Sequence, residues 1–213
     1  MKTRKIRTAL YNVLPGEKAH ALMAPRSKYI EGIEGVHPCP PVNSAILALI
    51  VPFENELALP LIKRANRGKY HGGQIAFPGG KMEKEDADAL QTALRECHEE
   101  IGVPEEKVSI LGVLSDIYIP LSNFNITPIV GTTLQLPDFI LSQDEVEKVI
   151  LVKLRDLFDD RNKTTHSFVR HDHKIIAPGY KIGENFIWGA TAMIIAELEQ
   201  LMKTNTFNHL GKL

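Results

Sequence analysis

The stretch from Gly72 to Val103 constrains the fold of this chain more than any other part of the sequence. A glycine-rich segment is followed there by apolar residues spaced at i, i+4, i+7 and i+11, which are Leu90, Leu94, Cys97 and Ile101. This spacing predicts one short helix with a narrow apolar stripe that faces a core. Gly102 and then Pro104 predict its end, because glycine commonly follows a helix C-terminus and proline cannot continue the helix.

Three glutamates occupy the last turns of this predicted helix. Glu96, Glu99 and Glu100 are spaced at i, i+3 and i+4, so we expect their carboxylates to converge on the side opposite the apolar stripe. Carboxylates at a helix C-terminus cost roughly 0.3–1 kcal/mol each and also repel one another. A bound Mg²⁺ or Mn²⁺ would remove both costs, since these ions prefer oxygen ligands. A solvated acidic face is the simpler alternative, but Gly79-Gly80 lets the backbone approach a metal or ligand closely.

A cluster of cationic residues lies just before the glycines, between Pro60 and Gly80. It comprises Lys63, Arg64, Arg67, Lys69 and His71. Several cationic donors beside a metal site suit a substrate with more than one phosphate. The alternative is a solvated basic loop, because charge runs alone are weak signals.

The composition excludes several classes of protein. The formal net charge is −1 at pH 7, so we expect no nucleic-acid partner. Two cysteines, Cys39 and Cys97, are too few for a disulfide framework. No run of about 18 apolar residues and no signal-peptide segment is present. We therefore expect a cytoplasmic protein with no membrane partner; the sequence does not indicate an oligomeric state.

Hydrophobic patterning outlines an α/β domain. Ser44–Phe53 is almost entirely apolar and predicts a buried strand, joined by a turn at 54–56 to a partner strand at Leu57–Arg64. Further strands are predicted at Gln74–Phe77, Val108–Ile119, Asn125–Leu136, Val146–Val152, Thr164–Arg170 and Lys174–Ala177, and a second long helix at Trp188–Met202. This order predicts a mixed β-sheet between helices.

The first forty residues predict a separate N-terminal feature. Thr3–Val13 and Glu17–Met23 each have the pattern of a short helix, and a proline-containing lead-in follows them. We therefore divide the chain into a helical arm, residues 1–40, packed on a domain formed by residues 41–213.

The segment R-E-C-H-E-E-I-G-V at 95–103, preceded by F-P-G-G at 77–80, resembles the Nudix box of the Nudix hydrolase family. The usual spacing is G-x5-E-x7-R. Here Asp86 stands at the first acidic position, and eight residues separate it from Arg95. This one-residue insertion is similar to the coenzyme A diphosphatase branch of the family, and it leaves the role of Asp86 open.

A second motif strengthens the resemblance to that branch, whose members carry L-L-T-x-R-[SA]-x3-R-x3-G-x3-F-P-G-G. This chain matches the spacing throughout, with Ile62 in place of the threonine and Lys69 in place of the second arginine. Segments at 14–25 and 187–192 also resemble the branch's N-terminal lead-in and C-terminal signature. The resemblance therefore covers most of the chain, from Pro15 to Leu201.

The resemblance implies a Nudix-type α/β/α sandwich and a Mg²⁺- or Mn²⁺-dependent enzyme that cleaves coenzyme A, a small-molecule substrate, to 3′,5′-ADP and 4′-phosphopantetheine. It implies that Glu96, Glu99, Glu100 and the carbonyl of Gly80 bind the metal. Arg95 would orient Glu99 and complete the catalytic group. The implied substrate-binding residues are Gly79 and Gly80, with Arg64, Arg67 and Lys69 as candidates for the 3′-phosphate.

Three questions stay open at the level of sequence. The substrate could be another diphosphate, such as ADP-ribose, or a nucleoside triphosphate. The chain could also be a non-catalytic binding module with a Nudix fold, although such proteins usually lack an intact box. The general base is not identified, and Glu145 and Glu147 are both candidates.

Overall fold

A computed structural model of the chain describes residues 2–26, 38–66, 72–170 and 173–207. Two of the substrate-binding residues predicted from the sequence, Arg67 and Lys69, lie outside these ranges. Among the described residues, no helix combines the length and the apolar character needed to cross a membrane.

The central sheet is built on strand β1, Val42–Phe53. It forms an antiparallel hairpin with β2, Glu56–Arg64, through a tight turn in which Glu54 and Asn55 both have positive φ. On its other side, β1 pairs in parallel with β7, Phe124–Thr132. Strand β8, Val146–Lys153, pairs antiparallel with the outer edge of β2. The prediction of a mixed sheet is therefore confirmed.

Short strands complete this sheet. They are β3 at Ile75–Ala76, β4 at Gly79–Lys81, β5 at Ser109–Val113 and β6 at Ile117–Ile119. The prediction of one continuous strand over Val108–Ile119 is wrong, because the chain leaves the sheet between β5 and β6. There the backbone N–H and hydroxyl of Ser115 bond to the carboxylate of Glu197 instead of to a neighbouring strand.

A second, three-stranded antiparallel sheet follows β8. Its strands are β9 at Lys163–Arg170, β10 at His173–Ile182 and β11 at Asn185–Trp188. The sequence patterns predicted only the first two strands and assigned Trp188 to a helix. Trp188 instead ends β11, and the helix begins after Gly189, whose φ of 67° breaks the strand.

Helices cover both faces of the central sheet. Alternation along β2 shows this directly, because Ile62 packs with Cys97 of helix α3, Ala89–Ile101, while Leu61 packs with Ile194 of the last helix. The remaining helices are α1 at Lys2–Leu10, α2 at Glu17–His20, α4 at Leu154–Leu157 and the last helix, α5, at Ala190–Phe207. This arrangement confirms the α/β/α sandwich.

Glu197 of α5 connects helix α2 to the segment between β5 and β6. Its side chain is fully buried and lies 3.0 Å from Gly16 N, 2.9 Å from His20 Nε2 and 2.6 Å from Ser115 Oγ. Burial opposes its ionisation, but the hydrogen bonds from His20, Ser115 and Gly16 lower the pKa of Glu197 below its ordinary value. Glu197 thus joins α2 to the rest of the chain, and the division into an arm and a domain at residue 40 stays a prediction.

Candidate active site

Helix α3 forms as its sequence predicts. Asp88 caps the N-terminus by accepting a hydrogen bond from Gln91 N at 2.9 Å, and Gly102 ends the helix in the left-handed region with φ of 72°. Cys97 and Ile101 of the apolar stripe are buried against the central sheet. The helix therefore presents its glutamates at a fixed position relative to the sheet.

The two glycines of β4 lie directly against these glutamates. The N–H of Gly79 donates a hydrogen bond to Glu100 Oε2 at 2.9 Å. Gly79 has φ of 155°, and a Cβ there would collide with the backbone of Ala45. A Cβ on Gly80 would overlap the carboxylate of Glu96. Both positions therefore require glycine, Gly79 because it lies against the backbone of β1 and Gly80 because it lies against the carboxylate of Glu96.

Glu100 is completely buried, and the sequence did not predict this. The glycine loop covers the side of α3 on which we expected the three carboxylates to converge. Within the described residues Glu100 Oε1 has no hydrogen-bond partner, and Arg64 Nη2 lies 3.4 Å away as an ion pair. Burial raises the pKa of Glu100 to about 7, with the charges of Glu96 and Glu145 adding to the rise and Arg64 opposing it.

Arg95 organises the other carboxylates. Its Nη1 donates to Glu96 Oε1 at 3.0 Å and to Glu99 Oε2 at 2.9 Å. The predicted pairing of Arg95 with Glu99 is therefore confirmed, and the same guanidinium group also orients Glu96. The three glutamates differ in environment, since the side chain of Glu99 is 55% exposed, that of Glu96 15% and that of Glu100 fully buried.

Asp86 holds Arg95 in place. Its carboxylate accepts two parallel hydrogen bonds from Arg95 Nε and Nη2, at 3.0 and 2.9 Å, and another from Thr92 Oγ1 at 2.9 Å. The bonds from Arg95 hold the pKa of Asp86 well below its usual range. Asp86 is thus a positioning residue, and the unusual spacing before Arg95 still brings the two side chains into contact.

The structure separates the two candidates for a general base. Glu145 lies beside the end of β2, where its carbonyl accepts a hydrogen bond from Ala65 N at 2.8 Å, and its charge adds to the rise that burial causes in the pKa values of Glu96 and Glu100. Glu147 instead pairs with Lys63 Nζ at 2.6 Å. A β-bulge explains the difference, because the register between β2 and β8 shifts there and leaves Glu147 as the extra residue.

Of the predicted substrate-binding cations, Arg64 is the one that lies within the described residues, and its guanidinium group is 3.4 Å from Glu100. It is the last residue of β2, and its side chain is one-third exposed beside Glu100. Its predicted role towards a 3′-phosphate stays a prediction.

The oxygen atoms at the site are of the type that binds a hard divalent cation, but they are not arranged around a common point. No group of three or more histidine, cysteine, aspartate or glutamate side chains in the described ranges is arranged to hold a metal ion as it stands. Arginines neutralise the carboxylates instead. Yet the orphaned, buried Oε1 of Glu100, the nearby Glu96 and the close backbone of Gly80 supply oxygen donors, which Mg²⁺ and Mn²⁺ prefer.

Comparisons with known proteins agree with this geometry. A family model described as the NUDIX domain matches residues 43–171. The chain is 35% identical over 161 residues to a protein of Enterobacter sp. (strain 638) named "Uncharacterized Nudix hydrolase NudL", a match that covers 74% of this chain and 82% of that protein. A protein of the same name from Pectobacterium atrosepticum is 35% identical over 158 residues, covering 73% and 80%. Among solved structures, the Nudix hydrolase RenU of M. smegmatis shares the fold, with 15% identity, a TM-score of 0.52 and coverage of 90% and 96%.

Proposed function

Because this chain belongs to the Nudix hydrolase family, we propose that it is a Mg²⁺- or Mn²⁺-dependent diphosphatase of coenzyme A or its derivatives. The observation that carries the proposal is a contact between residues of two different sequence motifs. Arg64, from the motif that resembles coenzyme A enzymes, lies 3.4 Å from Glu100, from the Nudix box. A cation from the substrate motif thus lies at the acidic centre, where a diphosphate would bind.

The metal would be held by Glu96, Glu99, Glu100 and the carbonyl oxygen of Gly80. When bound, Mg²⁺ or Mn²⁺ supplies charge neutralisation of the diphosphate and lowers the pKa of a coordinated water.

The protein's own residues then have distinct tasks. Arg95, held by Asp86, keeps the carboxylates of Glu96 and Glu99 in fixed orientations. Arg64 neutralises negative charge on the diphosphate oxygens beside Glu100. Glu145 accepts the proton of the attacking water. The new bond joins the water oxygen to the phosphorus on the pantetheine side, and the bond from that phosphorus to the bridging oxygen breaks. The bridging oxygen leaves with 3′,5′-ADP.

The test is incubation with coenzyme A and Mg²⁺ or Mn²⁺ in ¹⁸O-labelled water, with the products resolved by mass. We expect 3′,5′-ADP and 4′-phosphopantetheine, with the label in 4′-phosphopantetheine. Label in 3′,5′-ADP would reverse the direction of attack. A panel containing ADP-ribose and nucleoside triphosphates tests the substrate, and a higher kcat/KM for one of these than for coenzyme A would overturn the proposal.

A further inference from the structure

A cavity of about 510 Å³ lies between the central sheet and the three-stranded sheet. Its walls include Lys63 of β2, Lys148 of β8, Phe168 of β9, and Phe186 and Trp188 of β11. A volume of this size is typical of sites for small organic ligands. Neither the box motif nor the candidate active site uses any of these five residues.

The cavity and the candidate active site lie on opposite faces of β2. Arg64 faces α3, as Ile62 does, whereas Lys63 lies on the face that Leu61 buries towards α5. The two sites nevertheless meet at one point, because Lys63 and Arg64 are adjacent residues at the end of the strand. A long ligand that passes this strand end could therefore contact both.

Two lysines, Lys63 and Lys148, and one glutamate, Glu184, line the cavity, so its walls carry a net positive charge that favours an anion. Lys63 and Lys148 are direct partners across the antiparallel pair of β2 and β8. Like charges directly opposite each other destabilise a sheet. Glu147 neutralises Lys63 at 2.6 Å, but among the described residues Lys148 has no ion pair. A ligand phosphate would offset the repulsion and supply the missing counter-charge.

The aromatic side chains favour a flat ring. Phe186 and Trp188 are two residues apart on β11 and so share one face of that strand. His166 stacks on Phe186 with ring centroids 3.8 Å apart, and Phe168 meets Trp188 edge-on at 4.8 Å. These contacts fix the rings before any ligand binds. Asn185 also lines the cavity, and an asparagine amide can both donate a hydrogen bond to a heterocycle edge and accept one from it.

We propose that this cavity binds a purine nucleotide, with its base against the aromatic rings and a phosphate on Lys63 and Lys148. Two sources share this chemistry. One is the 3′,5′-ADP end of the substrate, in which case the inference rests on the proposed function and the lysines contact the 3′-phosphate. The other is a separate nucleotide that binds beside the active site.

The single tryptophan of the chain provides the measurement, because Trp188 lines the cavity. Intrinsic fluorescence of the full chain is recorded in EDTA, without hydrolysis, while 3′,5′-ADP is added. We expect a saturable change for wild type and about a tenfold weaker Kd for Lys148→Ala. Lys107→Ala, an exposed lysine beyond α3, is the matched control and should bind as wild type does. No saturable change, or equal Kd values for Lys148→Ala and Lys107→Ala, would overturn the inference.

Kinetics then distinguish the two sources. A roughly tenfold rise in the KM for coenzyme A in Lys148→Ala, with kcat nearly unchanged, identifies the substrate's own nucleotide end. Inhibition by 3′,5′-ADP that excess coenzyme A does not overcome identifies a separate nucleotide. The same experiments distinguish a failure of the proposed function from a failure of the cavity assignment. Binding without coenzyme A hydrolysis overturns only the proposed function, and hydrolysis without a fluorescence response overturns only the assignment of the cavity.

Discussion

Arg95 meets Asp86 through two parallel hydrogen bonds, from Nε to Oδ1 at 3.0 Å and from Nη2 to Oδ2 at 2.9 Å. The remaining nitrogen of the same guanidinium group contacts Glu96 and Glu99. One buried aspartate therefore controls, through Arg95, the orientation of two candidate metal ligands. A planar fork that binds one carboxylate with both parallel donors has little freedom left to move.

Asp86→Ala tests this control. Without its partner, Arg95 should lose its fixed plane, and the misplaced carboxylates should lower kcat/KM by about 10²-fold. The free energy of unfolding should fall by roughly 1–3 kcal/mol, because Arg95, Thr92 Oγ1 and Glu83 N all lose a hydrogen-bond acceptor. Steady-state kinetics and urea unfolding measure the two effects. Glu85→Gln, at a neighbouring exposed carboxylate, is the control; equal behaviour of the two variants would refute the positioning role.

The local sequence predicted helix α3 well because every signal for it is short-range. The apolar stripe, the terminal Gly102 and the pairing of Arg95 with Glu99 all depend on residues within a few positions of each other. The burial of Glu100 depends instead on Gly79, 21 residues earlier in the chain, and periodicity along the helix does not contain that information.

Sequence patterns also failed to predict other features that depend on contacts between distant parts of the chain. Strand β11 was not predicted, and its last residue, Trp188, was assigned to the following helix because it continues the apolar pattern of the residues after it. Glu145 and Glu147 look equivalent by strand alternation, and only the β-bulge between β2 and β8 gives them different surroundings. Irregularities of this kind arise from pairing with a distant strand, so they appear only in the folded structure.

Glu100→Gln tests the metal site. Losing a ligand charge should lower kcat by about 10²-fold or more, since the ion supplies several kcal/mol of charge stabilisation. The metal-free protein should melt at the same temperature or higher, because a buried carboxylate with one unsatisfied oxygen is costly. Mg²⁺ should raise the Tm of wild type but not of the variant. Glu105→Gln, an exposed control, should keep both properties. Near-normal turnover of Glu100→Gln would exclude Glu100 as a ligand.

Glu145→Gln and Glu147→Gln form a matched pair that tests the general base. The charge of Glu145 acts on Glu96 and Glu100, whereas Glu147 is held by Lys63. We expect kcat to fall about 10²–10⁴-fold for Glu145→Gln, the range typical of a lost general base. Glu147→Gln should retain kcat within a few-fold. The assignment fails if the two variants lose equal activity or if Glu147→Gln is the slower one.

Arg64→Ala tests where on the substrate this cation acts. From sequence alone, Arg64 was a candidate for the 3′-phosphate, but its contact with Glu100 favours the diphosphate. We therefore expect kcat/KM to fall by about 10–100-fold on coenzyme A and on dephospho-coenzyme A alike. The measurement is kcat/KM for both substrates on wild type and variant. A fall in kcat/KM for coenzyme A alone would show that Arg64 binds the 3′-phosphate instead.

Glu197→Gln tests how the link between helix α2 and helix α5 depends on pH. The folded state lowers the pKa of Glu197 below its ordinary value of 4.5. The carboxylate therefore binds protons more readily in the unfolded state than in the folded state. Its contribution to the stability of the folded protein is complete above about pH 4.5 and is lost as the pH falls through the folded pKa.

At pH 7 we expect Glu197→Gln to lower the free energy of unfolding by roughly 1–3 kcal/mol, since His20, Ser115 and Gly16 N–H lose a charged acceptor. The gap between wild type and variant should narrow as the pH falls below about 4.5. Urea unfolding of both proteins at several pH values measures the gap, with Glu106→Gln as an exposed control. A gap that stays constant or widens in acid would show that the charge of Glu197 does not hold the arm in place.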